Sequence, residues 1–315
     1  MSCVKYSVTP FNQLALGSCF DEAYIPAFQS VGGDINQFIL NRCTYFRYMG
    51  DSFCVSSYDL KKRAEIEKAN GITSISIEGL VDNVVDKVIG YLNEGSLVIC
   101  KTSDAIAYNE RLKRNTQKST AIHWMLFYGY DTERKVFDVL EHLTNVSATY
   151  ESCIMDFEML QKSYKLGFEY AKEENETMVV IRNVSGKSVK VRDFTSLYFE
   201  KCKSILDKIQ LSYESLTRYM TTFSECNKVA EQYDLMVLNE VIRYFEKEIW
   251  IQNKAKIKLD KGIELLQKLY LVRTYCMKCL NNASEMNTNC LKNVCLETIP
   301  LVDVWYNGLF LLISK

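Results

Sequence analysis

The sequence predicts an α+β domain over residues 1–185 followed by an α-helical bundle over residues 186–315. Three observations predict it. Runs rich in β-branched and aromatic residues alternate with stretches of helical periodicity through the first part. From Asp193 onward the apolar residues keep helical spacing almost throughout, as in Cys202, Ile205, Ile209, Leu216 and Met220. Between the two regions, Asn183-Val184-Ser185-Gly186-Lys187-Ser188 is polar, carries a glycine and reads as a linker. Helices and strands in mixed order suit an α+β layer architecture, and successive helices with one apolar stripe suit a bundle.

In chain order, Cys19 opens a helix with Asp21 and Glu22 in its first turn. Pro26 falls near the second turn and removes one backbone bond, so a kink is expected there. After Gly32-Gly33, Asp34-Ile35-Asn36-Gln37 reads as a capping box. A polar helix is expected from Asp59 through Lys68, stopped by Gly71. Gly79 to Leu92 is amphipathic, with Val81, Val84, Val85, Val88, Ile89 and Leu92 on one side, and Gly95 ends it. Ser96 to Cys100 is a short apolar strand. Ile122–Asp131 and Lys135–Glu141 are strand-like runs joined by a polar turn, a β-hairpin. Met155 to Tyr170 is a helix and Thr177 to Val184 a strand. In the second part, Leu238, Val241, Ile242, Phe245 and Ile249, and then Leu259, Ile263, Leu266 and Tyr270, repeat the helical stripe. Residues 301–314 suit a buried terminal helix, broken in apolarity by Asp303 and Asn307.

Composition sets the class. With 48% hydrophobic and 24% charged residues, the chain has enough apolar material to bury two cores. A net charge of −1 gives neither a nucleic-acid footprint nor a membrane-surface signature. No signal peptide or membrane-spanning apolar run is expected, so the twelve cysteines read as free thiols of a cytoplasmic protein.

One of those thiols stands out. Cys19 lies in Gln13-Leu14-Ala15-Leu16-Gly17-Ser18-Cys19-Phe20. A nucleophilic cysteine needs a base, an oxyanion donor and a helix N-terminus that favours the thiolate. Gln13, six residues earlier across a Gly-Ser turn, can fold back as the oxyanion donor beside the backbone N–H of Cys19. Only two histidines exist, His123 and His142. His123 opens the first strand of the hairpin, and Glu141 closes the second, so an antiparallel pairing brings the two together. His142 reads as a loop residue just past the strand. The carboxylate that orients the imidazole is Glu141 or Asp138. Side chains alternate along a strand, so these two project to opposite faces, and the strand end favours Glu141.

Gly17-Ser18-Cys19-Phe20, His123 ahead of an apolar strand, Gly129-Tyr130-Asp131 and a strand ending in an acid resemble the butirosin biosynthesis protein H family. That family is a papain-like group of cysteine acyltransferases, with a more distant likeness to bacteriocin-exporter peptidase domains and to papain. The resemblance spans roughly residues 8–150. It implies a papain-like cysteine-protease-type domain with Cys19 as nucleophile, His123 as base and an acid closing the next strand. Three positions depart from the pattern. Leu16 replaces a cysteine and Phe20 a tryptophan, and Glu141 is followed by His142 where the family has Asp-Pro. Thr102 also stands where an Asp is expected, ahead of a stretch of which only Tyr108 remains. The resemblance further implies a thioester donor on an acyl or peptidyl carrier protein, an amine acceptor and a place in peptide-like natural-product assembly. No metal or cofactor is expected. A cytosolic cysteine peptidase and a non-catalytic binding protein on the same fold are the alternatives.

Three other motifs carry less. Gly186-Lys187-Ser188 resembles the end of a phosphate-binding loop, but Ile181 stands where the first glycine is required. Cys276, Cys279, Cys290 and Cys295 have zinc-like numbers but helical periodicity, so buried helix thiols are expected. Arg111, Lys113, Arg114 and Lys118 form a basic loop ahead of His123, a solvated loop or a docking patch for an acidic carrier.

Overall fold

The computed structural model describes residues 3–13, 18–103, 122–142, 150–171, 176–186, 191–225, 230–282 and 284–314. The fold mixes α and β, with an antiparallel sheet, a separate hairpin and a helical C-terminal region. The chain divides into two compact units. One comprises Met1–Phe38 and Lys61–Val191, the other Ile39–Leu60 and Arg192–Lys315. The expected division at 185/186 therefore omits a crossing. A segment of the first part belongs with the helices, and the later boundary falls at Arg192.

In the first unit, the sheet runs in the order β4 (Ile72–Glu78), β9 (Glu176–Asn183), β5 (Leu97–Ser103), β6 (Ile122–Asp131), β7 (Val136–His142) and β8 (Tyr150–Asp156). The short β1 (Cys3–Lys5) also pairs with β6. The central strands are the most apolar in sequence, and β5 is buried along its whole length. Helix α1 (Cys19–Ser30) packs on β6. Its aromatic stripe docks there, Phe20 meeting Trp124 edge-on at 5.2 Å between ring centroids. Helix α3 (Arg63–Ala69) lies on β4, and α4 (Val84–Asn93) lies on β5. Helix α5 (Phe157–Tyr170) is capped by Asp156, which accepts from the Met159 amide at 2.6 Å. It reaches β5 through Gly167, where a Cβ would stand 2.8 Å from the carbonyl carbon of Thr102.

In the second unit, α6 (Phe194–Ser204), α7 (Leu206–Ser224), α8 (Gln232–Lys254), α9 (Gly262–Asn281) and α10 (Glu285–Ile313) pack around a hairpin of β2 (Arg42–Met49) and β3 (Ser52–Asp59). Phe46 and Phe53 anchor that hairpin. Phe53 stacks on Tyr219 at 4.3 Å, and the Phe46 amide donates to Ser212 Oγ at 3.0 Å. The helix α2 (Ile35–Asn41) leads into it, with Asp34 Oδ1 accepting from the Asn36 amide.

Several expectations change. The helix expected from Asp59 begins at Arg63, because residues 52–59 pair with residues 42–49 across the Gly50–Asp51 turn. Gly50, at φ 61°, supplies the left-handed backbone that such a turn requires. Helix α4 begins at Val84 and α5 at Phe157, because Tyr150–Asp156 forms a strand ahead of α5. His142 is the last residue of β7, not a loop residue. Helix α10 has the length and apolarity to cross a membrane, where no such run was expected. Its mean hydropathy is 1.3, and 39% of the window is buried. Leu291, Cys295, Val302, Trp305 and Leu309 are among its buried residues, and α7 and α9 pack against it. Cys276 and Cys279 on α9 and Cys295 on α10 are buried among these helices, and burial pushes the Cys295 thiol up to about 12. Lys187, Ser188, Tyr108 and the basic residues Arg111, Lys113, Arg114 and Lys118 lie outside the described residues.

Candidate active site

Cys19 is the first residue of α1. Ser18 caps that helix from extended backbone (φ −152°, ψ 153°), its Oγ accepting from the Asp21 amide at 3.1 Å. The free amides of the first turn and the aligned peptide dipoles place positive potential beside the Cys19 sulfur. The helix continues through Pro26, which has no N–H to give the Glu22 carbonyl. The aromatic cluster of Phe20, Tyr24, Phe28 and Phe38 holds it in place, with the Arg63 guanidinium over the Phe20 ring at 5.2 Å.

The electrostatics of that first turn differ from the formal charges. Glu22 is buried (7% exposed), and burial, helped by the neighbouring Asp21 charge, raises its carboxyl to about 7. A neutral Glu22 opposes a thiolate one helical turn away less than an ionised one does. Elsewhere, burial raises the thiols of Cys43, Cys100, Cys202, Cys279 and Cys295 above their ordinary value. Cys19 is half-buried at a helix N-terminus, an environment that separates it from those buried thiols.

His123 is the second residue of β6 and pairs with Thr102 of β5. It is buried, at 5% exposure. The β6–β7 register runs from Asp131–Val136 to Leu126–Leu140. Alternation from the Leu126–Leu140 pair puts His123 and Glu141 on one face of the sheet. Glu141 is also buried, at 3% exposure, with Cys153 Sγ 4.0 Å from its Oε2. Asp138 stands at the far end of the hairpin, opposite Gly129, and its Oδ1 takes the Lys5 ammonium at 2.6 Å. Of the two candidate acids, Glu141 is the one buried on the imidazole's face.

Tyr150 is the residue that sequence reasoning missed. It begins β8 and is 1% exposed. Its phenol oxygen lies 3.1 Å from the Cys19 carbonyl oxygen, 3.2 Å from His123 Nε2 and 3.0 Å from the Trp124 carbonyl oxygen. The start of α1 and the imidazole are thus joined through one side chain, no more than two hydrogen-bond lengths apart. Asn12 holds the other end of that tyrosine. Its Nδ2 donates to the Tyr150 carbonyl at 2.8 Å, and its Oδ1 accepts from the Tyr150 amide at 2.9 Å. Gln13 follows Asn12 at an exposed bend, so both ends of the segment from Asn12 to Cys19 touch Tyr150. Asn12 and Tyr150 belong to no short motif, and neither carried a sequence signal.

Lys101 is a second buried charge in this region, 1% exposed, with its ammonium 5.0 Å from the Trp124 ring centroid. No family model matches the chain, and no curated protein matches it.

Proposed function

We propose that this chain is a cysteine-dependent acyltransferase that forms an amide from an acyl thioester. The observation that carries the reading is the convergence of the Cys19 end of α1 and His123 Nε2 on one phenol oxygen. His123 takes the Cys19 proton, and the thiolate attacks the thioester carbonyl. The tetrahedral intermediate places negative charge on oxygen, which the Cys19 amide and the Gln13 carboxamide receive. Collapse expels the donor thiolate, which takes the proton from the imidazolium, and leaves an acyl group on Cys19. An amine then attacks that acyl-enzyme, His123 accepts its proton, and Cys19 leaves as the amide forms. Glu141 supplies a buried carboxylate on the face of the sheet that carries His123. The papain-like fold, the carrier-protein donor and the setting in peptide-like natural-product assembly rest on the family resemblance.

Intact-protein mass after incubation with short acyl N-acetylcysteamine thioesters tests the reading. One acyl increment should appear on Cys19 and vanish in Cys19→Ala, while the remaining cysteines stay unmodified. Transfer of that acyl group to an added amine completes the cycle. Cleavage of peptide substrates without acyl transfer would move the assignment to a cysteine peptidase. Acylation no faster at Cys19 than at exposed Cys3 would make the fold a non-catalytic one.

A further inference from the structure

The hydrogen-bond inventory at Tyr150 fixes more than a contact. A phenol has one proton to donate and oxygen lone pairs with which to accept. Two of the three groups around the Tyr150 oxygen are carbonyls, Trp124 at 3.0 Å and Cys19 at 3.1 Å, and carbonyls can only accept. The single proton is therefore directed at them. The third group, His123 Nε2 at 3.2 Å, must then be the donor, its N–H pointing at the phenol lone pair. The reverse arrangement, with the phenol proton on Nε2, sets two carbonyl oxygens against a buried phenol oxygen with no proton between them. It is the costlier state.

We infer that Tyr150 is a positioning residue for His123, a role that rests on the acyltransferase reading above. It holds the neutral imidazole with its proton on Nε2 and so leaves the Nδ1 lone pair as the base. When His123 accepts a second proton, the Nε2–H bond to the phenol becomes charge-assisted and shortens, which stabilises the imidazolium. Asn12 keeps the tyrosine backbone in register for this by bonding both its N–H and its C=O. A carboxylate in the same position would raise the basicity of the imidazole more strongly. A phenol that has given its proton to carbonyls fixes the tautomer with less charge, and so keeps the imidazole neutral to higher acidity.

The test uses the full chain, labelled with ¹⁵N at histidine. Only His123 and His142 contribute, and His142→Gln assigns the signals. At neutral pH His123 should carry its proton on Nε2. In Tyr150→Phe, which removes only the hydroxyl, the signal should move toward a mixture of tautomers. In parallel, the pH profile of Cys19 alkylation by iodoacetamide should shift by about one pH unit, and its rate at neutral pH should fall about tenfold. An Nδ1–H tautomer in the wild-type protein overturns the inference even if the variant does not fold. An unchanged tautomer and an unchanged alkylation profile in a folded Tyr150→Phe protein also overturn it, while preferential wild-type labelling of Cys19 would leave the acyltransferase reading standing. If wild-type Cys19 shows no preferential labelling, that reading fails, and the positioning role falls with it.

Discussion

Replacing Glu22 with Gln tests the electrostatics of the nucleophile helix. The Glu22 carboxyl has an ordinary value of 4.5 and is raised to about 7 in the fold, by burial first and by Asp21 second. The folded state therefore holds the proton more tightly than the unfolded chain does. Below the unfolded value both states are protonated and the group costs nothing. As pH rises from 4.5 toward 7 the unfolded chain ionises first, so stability falls; above about 7 the loss is complete. A shift of this size converts to about 3 kcal/mol at roughly 1.4 kcal/mol per pH unit, and solvent screening near the helix end reduces it to about 1–2 kcal/mol. Glu22→Gln keeps the shape and removes the ionisation. It should match wild type at pH 4 and exceed it by about 1–2 kcal/mol at pH 8. Urea unfolding read by hydrogen exchange in α1 peptides measures this locally, which matters in a chain of two compact units. The same substitution should move Cys19 alkylation to lower pH, because a negative charge one turn from the sulfur is gone. A stability gain that is equal at pH 4 and pH 8, or larger at pH 4, would refute the argument.

Two further substitutions probe the parts that hold His123. Gly167→Ala places a Cβ 2.8 Å from the Thr102 carbonyl carbon and 3.0 Å from its Cα. Helix propensity gains at most about 1 kcal/mol, whereas backbone overpacking costs about 1–3 kcal/mol, so the urea midpoint should fall. Thr102 pairs with His123, so Cys19 acylation should slow as well. Glu141→Gln should reduce the acylation rate about tenfold, roughly 1.4 kcal/mol of barrier, while Asp138→Asn, at the Lys5 end of the hairpin, should change it less than about twofold. The opposite ranking in single-turnover acylation would return the acid role to Asp138.

What the sequence disclosed follows from the range of the forces involved. Local periodicity is written in adjacent residues, so the β6–β7 hairpin, α4 and α5 and the run of helices after Asp193 were legible, with ends displaced by a few residues. The β2–β3 hairpin was legible too: Thr44, Tyr45, Phe46 and Tyr48, followed by Gly50-Asp51 and a second strand-forming run, are strand and turn chemistry. What no local rule could give was its allegiance to the helical unit, because Phe46 and Phe53 are buried by Tyr219, Tyr244 and Phe245, almost two hundred residues later. The site divides in the same way. Cys19 and His123 were found because nucleophile and base are rare residue types in suggestive contexts, and Glu141 because strand alternation fixes its face. Tyr150 is one of twenty tyrosines and Asn12 one of many polar residues near a terminus. Their importance lies in hydrogen bonds that span more than a hundred residues, and such bonds leave no periodic trace. Chemistry-bearing residues are thus readable by type, whereas the residues that aim them are readable only once the chain has closed its long-range contacts. A phenol whose only proton is claimed by two backbone carbonyls becomes an acceptor by topology alone, and the protonation state of the base is set by the way the sheet edge and the helix end meet.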